Sequence, residues 1–190
     1  MVSVLQSIVN DIRFMFRDNI TPVDHLLSDE RFSLTQKQII KKCRKLPSED
    51  VELIANPEFS DLQMYLILQA AKDGLDISWL ADPQLDLDQM AVIYCALADG
   101  VDVSFFVDPL WPHKKMDIVY QDLKRGIDVS WYIDYPPFVD NTDGHLNPVL
   151  YWIRKGLEKG LDISWMLIPD ISDTQAKTIL QILEGRGGKL

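Results

Sequence analysis

Long apolar runs, paired cysteines and an excess of basic charge are all missing from this sequence of 190 residues. No apolar stretch approaches the roughly 18 residues of a membrane span. The apolar N-terminus lacks a basic leader and is interrupted by Asn10, Asp11 and Arg13, so it does not resemble a signal peptide. Only Cys43 and Cys95 occur, with no Cys or His at metal-ligand spacing. We therefore expect a cytoplasmic protein whose thiols are reduced and buried.

Recognisable catalytic motifs are missing as well. The sequence has no Gly-rich phosphate loop, no nucleophile elbow, no His-Glu-x-x-His motif and no Asp-x-Asp-x-Asp-Gly loop. His25, His113 and His145 share no motif. We predict that the protein is not an enzyme and that it uses no cofactor, metal ion or small-molecule substrate. The alternative is an enzyme with an unrecognised site around Asp140, Asp143 and His145, which would require a cleft with perturbed acids.

Acidic charge dominates the middle of the chain. The net charge is −10, and residues 51–150 hold 17 Asp or Glu against 5 Lys or Arg, a net of −12, whereas the two ends are nearly neutral. A field of that sign repels nucleic-acid phosphates and attracts basic surfaces. The one basic run, residues 41–45, falls at the end of a predicted helix, where cations suit the helix dipole. The charge therefore predicts a protein partner with a basic surface, and no direct contact with nucleic acid or membrane.

One stretch of about ten residues occurs four times. GLDISWLADP begins at Gly74 and returns as GVDVSFFVDP at Gly100, as GIDVSWYID at Gly126 and as GLDISWMLIP at Gly160. The first three glycines are 26 residues apart, and the fourth follows after 34, one period plus eight. Weaker copies at residues 28–36 and 168–175 bring the array to about six units. Degenerate end units are typical of stacked repeats, whose ends must face water.

Each unit carries the signals of one helix of about 13 residues. A cap residue followed three positions later by Gln is the pattern of a capping box. The pairs are Ser33/Gln36, Ser60/Gln63, Asp86/Gln89 and Ser172/Gln175. An apolar residue before the cap and Met four after it, as in Phe59 and Met64 or Leu85 and Met90, predict a hydrophobic staple. The glycine after each helix is expected in the left-handed conformation.

The residues after each glycine predict a corner. In the first copy Asp76 is expected to bond nearby backbone N–H groups, Ser78 to cap a short helix over residues 79–81, and Pro83 to end it. Asp50 takes the equivalent slot of an earlier unit. Such a unit cannot bury its own apolar face, so neighbouring units must cover it. We predict an all-α fold, a short α-helical repeat solenoid of about six helix–short-helix units with an N-terminal capping helix.

The predicted organisation has three parts. Residues 1–18 form the capping helix, residues 19–185 form the helical repeats, and residues 186–190 form a flexible tail. A long loop insertion over residues 135–147, rich in turn residues, interrupts the repeats. Insertions in repeat arrays often map to the binding face, and the alternative is a surface loop without a role.

Two sets of recurring residues have two interpretations each. The corner Asp residues could bind a basic ligand or a cation, but a turn cap used once per unit is the favoured interpretation. The corner aromatics could line a binding face, but packing between units is favoured. The candidate partner-binding residues are Asp76, Asp102, Asp128, Trp79, Phe105, Trp131, Trp111, Tyr135, Phe138, Asp140 and Asp143.

The pattern Gly-apolar-Asp-apolar-Ser-aromatic-x-x-Asp-Pro-x-Phe/Leu-x-x-x-Gln-Met, best matched by residues 74–90, resembles a short repeat in proteins of Firmicutes, their phages and mobile elements. The likeness covers roughly residues 28–186. It departs at residues 112–115, where Pro-His-Lys-Lys replaces a capping box, and at the insertion. The resemblance implies a helical repeat and a mobile-element origin, and it carries no activity and no catalytic residue.

The leading functional hypothesis is a non-enzymatic protein–protein interaction module that presents an acidic helical-repeat surface. The alternative is a phage or mobile-element inhibitor of a bacterial defence nuclease, whose acidic face mimics nucleic acid. The two differ in a measurable way, because a mimic competes with DNA and its binding weakens steeply with salt.

Overall fold

The computed structural model describes residues 23–134, 147–168 and 170–186, and within these residues the fold contains helices and no β-strand. The eight α-helices of this part of the chain are α1 (Asp24–Leu27), α2 (Leu34–Lys42), α3 (Ser48–Ile54), α4 (Asp61–Lys72), α5 (Leu87–Ala98), α6 (His113–Lys124), α7 (Pro148–Glu158) and α8 (Asp173–Arg186). Four short 3₁₀ helices accompany them: Ile77–Trp79, Val103–Phe105, Val129–Trp131 and Ser164–Met166. The predicted all-α class is confirmed for the described residues. The predicted capping helix over residues 1–18, most of the insertion and most of the tail lie outside them.

Two compact units make up the chain, Met1–Tyr94 and Cys95–Leu190. In the first unit α2 packs against α1 and α4, and α3 contacts α4 and the 3₁₀ helix Ile77–Trp79. In the second unit α7 packs against α8, α6 contacts Val129–Trp131, and α8 contacts Ser164–Met166. None of the described helices is both long enough and apolar enough to cross a bilayer.

Four of the eight described helices begin at the predicted capping boxes. The Ser33 hydroxyl accepts the Gln36 N–H at 3.0 Å, and Gln36 Oε1 accepts the Ser33 N–H at 2.7 Å. The other three predicted pairs form the same reciprocal bonds. Helix α6 departs as its sequence predicts, because it starts after Pro112 without a side-chain cap. Four helix starts are therefore set by contacts within four residues of sequence.

Four of the described helices, α4 to α7, end at the predicted glycines. Gly74, Gly100, Gly126 and Gly160 have φ values of 74°, 70°, 75° and 62°. The residue after each glycine donates its N–H back to the helix, as Leu75 does to the Ala70 carbonyl at 3.0 Å. This is the bond of a Schellman motif. A side chain in this conformation costs about 1–2 kcal/mol, which explains why each copy of the repeat starts with glycine.

Each corner is a turn, as predicted, but its cap was assigned to the wrong residue. Asp76 Oδ1 accepts the Ser78 N–H at 3.1 Å and caps the 3₁₀ helix Ile77–Trp79, which starts two residues before the predicted one. The reason is that an Asp carboxylate reaches the N–H two residues ahead. Asp102 and Asp128 make the same bond. Asp50 does not, because it lies inside α3.

The core includes the residues of the predicted hydrophobic staples. Phe59, Met64 and Leu85 are 2%, 0% and 1% exposed. Cys43 is also buried, and burial raises the pKa of its thiol to about 11. Cys95 is exposed, so the expectation that both thiols are buried is wrong for it. Its neighbour in the sequence, Ala96, takes the core position of α5 instead.

Gly156 marks a close contact in the second unit. A Cβ at this position would lie 2.4 Å from Cγ2 of Ile163 and 3.6 Å from Cδ1 of Leu180, a residue of α8. Alanine gains about 1 kcal/mol over glycine inside a helix, whereas overpacking costs about 1–3 kcal/mol. We expect Gly156→Ala to lower the free energy of unfolding in urea by about 1 kcal/mol.

The matched control for this substitution is Gly185→Ala in α8, where a Cβ would meet no atom within 4 Å. It should be neutral or stabilising. A Gly156→Ala protein as stable as the Gly185→Ala protein would contradict the close packing of α7.

Candidate functional site

The predicted binding residues that the structure describes lie mainly at the corners. We use the term corner surface for the exposed Asp and the aromatic residue of a corner, each corner being taken by itself. The three pairs are Asp76 and Trp79, Asp102 and Phe105, and Asp128 and Trp131. The first corner belongs to the first compact unit and the other two to the second. In each corner the Asp and the aromatic residue stand three positions apart, with one 3₁₀ helix ending at the aromatic.

The aromatic residues of the corners are largely outside the core. Trp79, Phe105 and Trp165 are 36%, 44% and 69% exposed, and Trp131 is half-buried. These three side chains are only partly covered, and the prediction that they pack unit on unit stays a prediction. Because a 3₁₀ helix has three residues per turn, the core side is taken by positions three apart, such as Ile77 and Leu80 at 3% and 0% exposed. The aromatic residue beside Leu80 is turned away from that side.

The corner Asp residues combine a turn cap with an exposed charge. Oδ1 of Asp76 accepts the Ser78 N–H at 3.1 Å and the Ser78 hydroxyl at 2.6 Å, so the predicted cap role is confirmed. Hydrogen bonds from the Ser104 hydroxyl and N–H hold the pKa of Asp102 below its ordinary value. Asp76, Asp102 and Asp128 are nevertheless exposed. The cap uses one oxygen, and the carboxylate keeps its charge toward solvent.

Trp111 differs from the corner aromatics. It is half-buried, and Lys115 Nζ lies 3.4 Å from the centroid of its ring, which is a cation–π contact within the chain. Burial lowers the pKa of Lys115. The structure therefore gives Trp111 an internal contact, and it is not part of the corner surface.

The remaining candidates are in the insertion. Tyr135, Phe138, Asp140 and Asp143 lie outside the described residues, as does His145 of the alternative enzyme site. The predicted role of the insertion stays a prediction.

A second role of the capping-box glutamines was missed. Gln36 Nε2 donates to the Phe59 carbonyl at 2.7 Å, and Gln63 Nε2 donates to the Leu85 carbonyl at 2.8 Å. Each acceptor is the residue before the next cap. Glu would complete a capping box equally well but cannot donate. The consistent use of Gln at this position was the available signal.

A buried polar cluster in the second unit was also missed. Arg154 Nε and Nη2 donate to the two carboxylate oxygens of Asp122, each at 2.5 Å, and the Tyr132 hydroxyl donates to Asp122 Oδ2. Asp122 is fully buried and the Arg154 side chain is 16% exposed. Burial, followed by the hydrogen bond to Asp122, raises the pKa of Tyr132. Burial lowers the pKa of Arg154, but its bond to Asp122 and that residue's charge raise it overall.

The sequence signal for this cluster was a set of departures from the repeat. Asp122 stands where the two preceding units have Ala70 and Ala96, and Tyr132 stands where the preceding corner has Phe106. Within the described residues every buried side-chain nitrogen or oxygen has a hydrogen-bond partner. The cluster therefore offers no open polar group to a substrate and is structural.

Residues before the glycines form a further series of pairs. Asp99, before Gly100, accepts hydrogen bonds from Lys124 and from the Tyr120 hydroxyl, which hold its pKa below the ordinary value. The other pairs are Asp73–Tyr94, Arg125–Glu158 and Lys159–Glu184. Exposed pairs of this kind contribute about 0–1 kcal/mol each, so they fix register more than stability.

No family model matches this chain, and no curated protein or solved structure matches it. The proposed function therefore depends on the geometry of this chain alone.

Proposed function

We propose that the protein is a non-enzymatic protein-binding module that presents the corner surface to a partner with a basic surface. The supporting observation is that each corner exposes a carboxylate while its 3₁₀ helix holds an aromatic side chain at or near the surface. Carboxylates accept charge-assisted hydrogen bonds from Arg and Lys, and aromatic faces attract the same cations. Rigid aromatic side chains are also frequent anchors of protein interfaces.

The proposed scaffold of this surface is a solenoid of about six helix–short-helix units with an N-terminal capping helix. Packing of α2 with α4 and of α7 with α8 supports it, since in both pairs one repeat helix covers the next. The glutamine bonds to the Phe59 and Leu85 carbonyls support it further, because each joins one repeat unit to the next repeat unit.

The second candidate is an inhibitor of a bacterial defence nuclease that mimics nucleic acid. The net charge of −12 over residues 51–150 favours it. Its partner would be a basic, DNA-binding protein, and DNA would displace the inhibitor. The leading proposal, a module that binds a basic protein partner, includes this case but does not require that DNA compete for the partner.

The test uses full-length protein in which Asp76, Asp102 and Asp128 are replaced by Asn. The Asn side-chain oxygen still accepts the Ser N–H, so the turns are kept while three charges are removed. Tagged wild-type protein captures partners from its host, and the affinity of each is then measured by calorimetry. We expect the Asn variant to bind at least tenfold more weakly, which corresponds to about 1.4 kcal/mol.

The matched control replaces Glu30, Glu58 and Glu184 by Gln, which removes the same charge from exposed positions that belong neither to the corners nor to α3. It should retain most of the affinity. An Asn variant that binds as the wild type does, or a control that loses as much affinity as the Asn variant, would refute the corner surface. Displacement of the partner by DNA would select the nucleic-acid mimic.

A further inference from the structure

We infer that α8 forms one wall of a docking groove for an amphipathic helix of a protein partner, a helix with the same cap and apolar spacing as the repeat helices of this chain. The groove has a volume of about 560 Å³. It is lined by Trp165, Ile168, Ile179, Ile182 and Leu183. None of its lining residues belongs to the corner surface as defined above, and the inference does not depend on the proposed function.

The groove lies on the face that the other repeat helices bury. Ten residues after the cap, α2, α4, α5 and α6 carry residues that are fully buried: Cys43, Ala70, Ala96 and Asp122. Helix α7 is followed by Gly160, and Gly156, four residues before that glycine, is buried too. The equivalent residue of α8 is Ile182, which is 46% exposed. Ile182 is therefore an apolar side chain, at a position that the other repeat helices bury, which is left partly exposed.

Helices of this chain cover that face elsewhere. In the first unit α4 packs on α2, where Ile40 and Cys43 are fully buried. In the second unit α8 packs on α7 at Gly156. The covering helix buries apolar residues before its cap and four and eight positions after it. These residues are Phe59, Met64 and Leu68 in α4, and Ile171, Ala176 and Leu180 in α8.

Gln175 adds a polar anchor at the edge of the groove. Its Oε1 accepts the Ser172 N–H at 2.9 Å, as in the other capping boxes. Gln36 and Gln63 use Nε2 to bind the carbonyl before the next cap, whereas Gln175 Nε2 has no hydrogen bond to any described residue. Gln175 also lines a smaller pocket of about 240 Å³ beside Ile168 and Ile179. A partner helix would offer the carbonyl of the residue before its cap to Gln175 Nε2. This bond would be equivalent to those of Gln36 and Gln63 in the first compact unit.

The size of the groove favours one helix as its occupant. Five lining side chains accommodate two or three anchors of a helix laid in a groove. A stable dimer of two copies would need about 20–30 residues from each side. The interface between α2 and α4 therefore predicts the occupant more closely than a second copy does.

The test is a methyl NMR titration of the full-length protein with a synthetic peptide of residues 59–73. This peptide contains Phe59, Met64 and Leu68 and the carbonyl that Gln36 binds in the folded chain. We expect saturable shifts of the methyl groups of Ile179, Ile182 and Leu183. Buried methyl groups that do not line the groove, such as those of Ile40, should not move.

Two variants make the test specific. Ile182→Glu should weaken peptide binding at least tenfold, and because Ile182 is 46% exposed the fold should tolerate it. Leu110→Glu, at a residue 89% exposed outside the groove, should bind the peptide as the wild type does. A peptide with Met64→Glu and Leu68→Glu should not bind.

The inference is overturned if the wild type shows no saturable shifts, or if Ile182→Glu binds the peptide with wild-type affinity. Shifts that depend on protein concentration without peptide would assign the groove to a second copy and would also overturn it. The corner variant with three Asn residues should bind the peptide normally. Failure here is therefore distinguishable from failure of the proposed function.

Discussion

Replacing Asp122 by Ala is expected to lower the free energy of unfolding by about 3–5 kcal/mol. The substitution leaves the Arg154 guanidinium without the carboxylate that accepts two of its N–H groups, in a site where the Arg154 side chain is only 16% exposed. It also removes the acceptor of the Tyr132 hydroxyl. A buried charge without its partner is among the most destabilising changes that a single substitution can cause. Urea unfolding followed by circular dichroism measures the effect.

The control for this prediction comes from the repeat itself. A triple variant, Asp122→Ala with Tyr132→Phe and Arg154→Tyr, installs the residues that the preceding unit has at these positions, Ala96, Phe106 and Tyr120. Since apolar replacement of a whole buried ion pair is often neutral or stabilising, the triple variant should recover most of the loss. The exposed ion pair Lys159–Glu184 offers a second control. Lys159→Ala should lower the free energy of unfolding by less than about 1 kcal/mol. An Asp122→Ala protein within about 1 kcal/mol of the wild type would contradict the buried pair.

Replacing Phe59 by Ala is expected to cost about 3–5 kcal/mol. Phe59 is 2% exposed and precedes the cap of α4, where the sequence predicts a staple with the fully buried Met64. Its removal leaves a cavity in the core next to the residue's own backbone carbonyl, which accepts the hydrogen bond from Gln36 Nε2. The loss of transfer free energy and the cavity both destabilise the fold. The midpoint and slope of urea unfolding give the value.

The matched substitution is Phe105→Ala, the same chemical change at a corner aromatic that is 44% exposed. We expect it to cost about 1 kcal/mol or less, because little apolar area is taken from the core. Equal losses at the two positions would mean that the corner aromatics are packing residues after all, as the sequence had suggested. They would then be poor candidates for partner binding.

The features predicted correctly depend on contacts between residues close in sequence. Capping boxes join residues three apart, as Ser60 and Gln63 do, and the corner turns join residues two apart. The left-handed glycines follow from the absence of a side chain. A repeated local pattern therefore identified where four of the eight described α-helices start, where four of them end and where the chain turns.

The features that the sequence did not predict depend on which side of a short helix faces the core, or on contacts between residues far apart in sequence. The exposure of Trp79 follows from the three-residue turn of a 3₁₀ helix, which the sequence did not distinguish from an α-helical corner. Arg154 and Asp122 are 32 residues apart, and Gln36 and Phe59 are 23 apart. No local rule selects such partners. Asp122 stood out because it departs from the repeat, and Gln36 because Gln recurs at its position. Neither signal identified the residue in contact.

The most direct test of the proposed function is the affinity of a captured partner for a variant in which Trp79, Phe105 and Trp131 are all replaced by Ala. Its unfolding midpoint, measured on the same sample, establishes that the variant is folded. We predict a folded protein that binds the partner at least tenfold more weakly than the wild type does. Wild-type affinity in a folded variant would contradict the assignment of partner binding to the corners.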